Sequence, residues 1–110
     1  MLLDSGRCKI YGVSKTSVGG GKPKKQRTPK FEHYFGERTV GITRYRAAQQ
    51  NNERVDMVIR IWQDRNVRPN DECEIDGLFY IVRQVQQTLD EDGLRVTDIE
   101  LERMDADDAP

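Results

Sequence analysis

The run Arg54-Val-Asp-Met-Val-Ile-Arg-Ile-Trp62 alternates apolar and polar positions. Val55, Met57, Ile59 and Ile61 fall on one side, with Arg54, Asp56 and Arg60 on the other. A period of two is the mark of a strand with one buried face. The same alternation opens at residues 7–13 and resumes at 31–41, a stretch rich in aromatic and β-branched residues. Residues 73–75 form a short strand that Asp76-Gly77 turns back, a strong hairpin signal. A long strand over 78–88 follows, apolar on both sides at its start and half polar later. Asp90-Glu-Asp-Gly93 turns the chain into a last strand over 94–104. There Leu94 and Val96 share one phase while Ile99 and Leu101 share the other, so a β-bulge is expected near Thr97-Asp98. Thr43 is placed to cap a short helix over 44–51. The expected fold is mainly β: a small barrel of five to six antiparallel strands with one short helix.

Residues 14–30 break this pattern. They hold Gly19-Gly20-Gly21, Pro23, Pro29 and the cations Lys15, Lys22, Lys24, Lys25, Arg27 and Lys30. Glycines loosen the backbone and like charges repel, so a long mobile basic loop is expected. The domain then runs over 1–104 as a single unit, with a disordered acidic tail at 105–110.

Composition sharpens the picture. The chain has 110 residues, 35% hydrophobic and 34% charged, which leaves little apolar surface to bury in a lone subunit. The net charge of −1 hides an asymmetry. Eight Lys or Arg and no acid lie between Arg7 and Lys30, whereas nine acids against two arginines lie between Asp90 and Asp108. Such a chain can pair head to tail with its own copies, or simply carry two solvated termini. Cys8 and Cys73 belong to no metal-binding spacing and read as reduced thiols. The start is too short and acidic for a signal peptide, and no apolar run approaches membrane-spanning length. A protein made in the cytoplasm is expected.

No set of residues reads as a catalytic centre, so no enzyme, cofactor or metal is expected. His33 is the single histidine and has no partner at ligand spacing. Gly21-Lys22 is followed by Pro23, which excludes a Walker loop. Glu72, Glu74 and Asp76, and the cluster Asp90, Glu91 and Asp92, read first as a solvated strand face and a turn. Pairing of such acids with basic residues of another subunit comes second. Trp62 is placed as an interface anchor or as an end cap of the core. Lys15, Lys22, Lys24, Lys25, Arg27 and Lys30 have two readings: contacts to DNA phosphates, or a solvated loop ordered by neighbouring subunits.

Four ordered segments carry a resemblance. They are Tyr34-Phe-Gly-Glu-Arg-Thr-Val-Gly-Ile-Thr-Arg-Tyr45, Arg54 to Trp62, Asp76-Gly-Leu-Phe-Tyr-Ile-Val-Arg-Gln-Val-Gln86, and Asp90-Glu-Asp-Gly-Leu-Arg-Val-Thr-Asp-Ile-Glu-Leu-Glu-Arg103. Together they resemble the head-closure, or head–tail connector, proteins of long-tailed bacteriophages. The resemblance implies a small barrel that assembles into a homo-oligomeric ring under the portal and its adaptor, in the neck of the virion. It also implies no catalysis, a tail-end protein as a second partner, and packaged double-stranded DNA retained by a projecting loop. The segment 14–30 sits where that loop would be. Trp62, Arg60, Glu72 and Glu74 are the candidate subunit contacts. Tail completion, or free nucleic-acid binding by a small barrel, are the alternative readings.

Overall fold

The computed structural model describes residues 3–16, 24–38 and 55–105; of residues 15, 16 and 24 it describes the backbone alone. Six strands follow in order: β1 (Gly6–Thr16), β2 (Lys24–Arg38), β3 (Met57–Trp62), β4 (Glu72–Ile75), β5 (Leu78–Leu89) and β6 (Arg95–Arg103). All neighbours are antiparallel, and the ring closes as β1-β2-β3-β6-β5-β4. The expected mainly-β barrel is therefore the observed architecture. No helix occurs among the described residues, and the expected helix over 44–51 lies outside them.

The barrel encloses one core: Cys8 and Ile10 of β1, Phe35 of β2, Ile59 and Ile61 of β3, Cys73 and Ile75 of β4, Tyr80 and Val82 of β5, and Ile99 and Leu101 of β6. Val67, from the β3–β4 connection, plugs one end. The alternation that identified β3 places Ile59 and Ile61 in this core, as expected. At the Asp76-Gly77 hairpin both residues take positive φ, 52° and 80°, which is why the turn needs a short polar residue and a glycine.

Three expectations are corrected. First, residues 14–30 are not a continuous loop. Residues 14–16 end β1 and 24–30 begin β2, paired Ser14↔Gln26, Lys15↔Lys25 and Thr16↔Lys24. Ladder hydrogen bonding asks nothing of the side chains, so a polar, basic segment can pair as well as an apolar one. Because β1 pairs with β4 only from Cys8 to Tyr11, Gly12–Thr16 and Lys24–Thr28 continue past β4 as a two-stranded arm. Second, the bulge is not at Thr97-Asp98. β6 pairs with β3 without a break from Val96 to Leu101; the irregularities lie at Ile10/Tyr11 and Val82/Gln84. Thr97, Ile99 and Leu101 form the inner phase, and Thr97 is held by the amide of Asp64 (2.9 Å) and by Gln87 Oε1 (2.6 Å). Third, the outer face of β3 and β6 is not solvated. Val58, Arg60, Val96, Asp98 and Glu100 are buried there too.

Antiparallel registers set the ends of the barrel. Trp62, Glu72, Leu89 and Arg95 lie at one end, together with the basic start of β2. Gly6, Arg38, Met57, Ile75, Leu78 and Arg103 lie at the other.

Candidate functional site

The basic half of β2 is clamped to the end of the barrel. Lys25 Nζ stands 2.7 Å from Glu72 Oε2, and Arg27 Nε donates to Glu72 Oε1 at 2.7 Å. Glu72 is 1% exposed, so its carboxylate is tolerated only because two cations neutralise it. Lys30 Nζ donates to Asp71 Oδ2 and to the Asn66 carbonyl, each at 2.8 Å. Gly12 lies under this reach: a Cβ there would stand 2.9 Å from Lys30 Cε. Asp71 Oδ2 also accepts the Arg68 amide at 2.9 Å, which ties the connection to the arm.

Of the six sequence-nominated cations, Lys25, Arg27 and Lys30 are thus brought together by intramolecular carboxylates. Lys15 and Lys24 are placed opposite Lys25 and Thr16 in the ladder, with side chains outside the described residues, as is all of Lys22. Asp71 was missed as the partner of Lys30; no local motif marks it, since the pair is separated by 41 positions.

Arg60, Trp62, Glu72 and Glu74 do not form one patch. Arg60 donates to both Asp98 oxygens, at 2.7 and 3.0 Å, inside a buried environment, and this pairing raises its pKa further above the ordinary arginine range. Glu72 is buried under the arm rather than on a solvated face. Glu74 accepts from the Tyr11 hydroxyl at 3.0 Å. Burial, then this carboxylate, pushes the Tyr11 pKa up. Trp62 alone stays open, at 48% exposure.

Trp62 faces a seam. β2 pairs with β3 only from Gly36 to Arg38, so the β2 edge from Lys24 to Phe35 has no strand against it among the described residues. Leu3, Glu32, His33, Tyr34 and Trp62 line a groove of about 430 Å³ here. Tyr34 is 61% exposed, with the Arg7 guanidinium 5.3 Å from its ring centre, and Arg7 also pairs with Glu32 at 2.9 Å. His33 Nε2 lies 2.7 Å from Asp64 Oδ2, a structural tie between β2 and the β3–β4 connection. The groove's charged groups are thus engaged with one another, leaving aromatic surface as what it offers a partner.

The acidic turn folds on itself. Asp90 Oδ1 accepts the amides of Asp92 and Leu94, at 2.9 and 2.8 Å. Among the described residues no group of three His, Cys, Asp or Glu side chains is arranged to hold a metal ion. Cys8 and Cys73 are free and buried on adjacent strands. Contact with the Cys8 sulfur, then burial, pushes the Cys73 thiol far up, which makes it a poor nucleophile. The arrangement comprises a clamped basic arm, an aromatic groove and a buried ionic lattice.

No protein-family profile and no curated protein matches the sequence. Among solved structures, a chain described as "Virion of native gene transfer agent (GTA) particle" superposes with a TM-score of 0.52 at 13% identity. The match covers 89% of this chain and 93% of that chain. At that identity, the likeness shows a shared fold.

Proposed function

We propose that this chain is a structural protein of a phage-type virion: the head-closure protein of a tailed phage or prophage. Copies form a ring beneath the portal and its adaptor, retain the packaged DNA and dock the tail-end protein. The ring belongs to the virion neck and assembles in the host cytoplasm. No catalytic step is involved. The observation that carries this reading is the fold likeness, which spans nearly the whole of both chains and whose counterpart belongs to a phage-like particle. The ordered segments that resemble head-closure proteins support a position in the neck.

The surface supports an assembly role. A chain with few apolar residues leaves Phe31, Tyr34 and Trp62 about half exposed or more around an unpaired strand edge. Exposed aromatics beside a strand edge suit docking against another subunit. The clamped arm gives the ring a rigid projection at the same end of the barrel.

Electron microscopy of particles assembled without this protein tests the reading, beside particles complemented with it. Head closure requires capsids that package DNA and then leak it, next to free intact tails. Full, stable heads beside unfinished tails would move the protein to tail completion and refute DNA retention. Wild-type particles in both samples would remove it from the virion altogether.

A further inference from the structure

Three of the six cations nominated by sequence are occupied. Lys25, Arg27 and Lys30 face Glu72 and Asp71, both buried. Two cations on the neighbouring β3–β4 connection are not. Arg65 and Arg68 lie there, exposed, and among the described residues neither side chain has an ion-pair or hydrogen-bond partner. On the connection and the arm five cations, Lys25, Arg27, Lys30, Arg65 and Arg68, meet three carboxylates, Asp64, Asp71 and Glu72, while the turn of Asp90, Glu91 and Asp92 adds three more at the same end.

The segment that carries the two arginines is held at every step. Asp64 Oδ1 accepts the Asn66 amide at 2.8 Å, and the Asn66 carbonyl accepts Lys30 Nζ at 2.8 Å. The Val67 side chain is buried in the core. The Arg68 amide donates to Asp71 Oδ2, and the Asp71 amide donates back to the Arg68 carbonyl at 3.1 Å. Asn70, at a φ of 73°, donates to the Val82 carbonyl at 2.8 Å. The backbone is fixed while the two guanidinium groups are left in water. A fixed frame with unspent positive charge suits a polyanion, which needs charge within reach rather than a pocket.

We propose that Arg65 and Arg68 form a contact for the phosphate backbone of duplex DNA, and that Lys25 and Arg27 serve mainly to hold the arm against Glu72. Duplex DNA is favoured over an acidic protein segment because the unspent charge lies on a short, rigid backbone and asks for charge within reach rather than a shaped pocket. The inference rests on the reading that this protein lies against packaged DNA.

The test is fluorescence anisotropy of a labelled 20-base-pair duplex of random sequence against the purified full chain, over a series of salt concentrations. Each lost phosphate contact lowers the slope of log affinity against log salt by about 0.9, so Arg65→Ala/Arg68→Ala lowers it by about 1.8. The same variant weakens low-salt binding several-fold and leaves the thermal melt unchanged. Arg65→Lys/Arg68→Lys restores the slope, because charge rather than a bidentate fork is what phosphate steering requires. An unchanged slope in the alanine variant overturns the proposal. So does a wild-type chain that ignores duplex DNA at low salt. Arginine-dependent binding of polyglutamate without binding of the duplex overturns it in favour of an acidic protein partner. These failures leave the particle experiment untouched, whereas wild-type particles made without the protein overturn the neck assignment and, with it, the packaged DNA as the duplex this contact serves.

Discussion

Arg60 is the position at which sequence and structure lead to opposite mutational outcomes. As a strand residue on the polar phase it reads as a surface cation available to a neighbour. In the barrel it is 7% exposed and donates twice to Asp98, itself 6% exposed. Replacing Arg60 with Met removes the cation and leaves the Asp98 carboxylate buried without it. Breaking one side of such a pair costs about 3–5 kcal/mol. A domain of this size has about 5–15 kcal/mol in total, so the variant loses a large share of its stability. Removing both charges is a different perturbation. Arg60→Met/Asp98→Leu leaves no orphan and recovers most of the loss, because well-packed apolar replacements of buried pairs are neutral or stabilising. Urea unfolding followed by circular dichroism measures this, with the midpoint moving at constant slope if only stability changes. A cost below about 1 kcal/mol for Arg60→Met, the value of a solvated ion pair, refutes the reasoning and returns Arg60 to the surface. A double variant no better than the sum of the two singles refutes it equally.

Glu72→Gln loosens the arm without unfolding the barrel: Lys25 and Arg27 are partly exposed and rehydrate, so the cost is about 1–2 kcal/mol. Hydrogen exchange in peptides covering residues 24–30 accelerates while β3 and β6 stay protected; unchanged exchange in the arm would show that the clamp does not hold it. Cys8 and Cys73 resist iodoacetamide at pH 8 in the folded chain and react after unfolding in guanidinium, since burial withdraws both and the Cys73 thiol is pushed far up; prompt labelling of the native chain contradicts this. Burial also raises the Tyr11 and Tyr80 hydroxyls above the ordinary tyrosine value of about 10. Their contribution to stability is therefore full below pH ~10 and falls away as pH rises through the higher folded values. The 295 nm titration of the native chain lags that of the unfolded chain, and coincident curves would remove the effect.

The barrel was legible where physics acts locally. Alternation in β3, the Asp76-Gly77 turn and the paired strands around it can be read from a few adjacent residues, because side-chain direction and turn sterics depend on neighbours alone. The lattice that organises the candidate site was not legible, because its partners are distant. Arg27 meets Glu72 across 45 positions, and Arg60 meets Asp98 across 38. A charge on a polar phase reads as solvated until its counter-ion is known. The arm was missed for the same reason: six cations look mutually repulsive until two buried carboxylates are placed beneath three of them. In β6, Val96 misled the phase because the outer face is buried as well, and period two cannot identify the inner face of a strand covered on both sides.

Trp62 separates folding from assembly more sharply than any other residue. It lies two positions from Arg60 on the same outward phase of β3, yet 48% of it is exposed, and among the described residues no hydrogen bond or ion pair depends on its side chain. A surface substitution away from caps, cavities and buried pairs changes stability by about 0.5 kcal/mol or less. Trp62→Ser therefore melts with the wild-type chain. If the groove between Tyr34 and Trp62 is a subunit contact, the same variant fails to complement particles assembled without the protein, since a central aromatic anchor contributes about 2 kcal/mol or more per interface and a ring repeats that loss at every joint. Arg60→Met then fails through the fold, with low yield and an early melt, whereas Trp62→Ser fails only in assembly. Full complementation by a normally folded Trp62→Ser chain would show that the seam is not the joint between copies and would direct the search to the remaining free edge of β2, beside the arm.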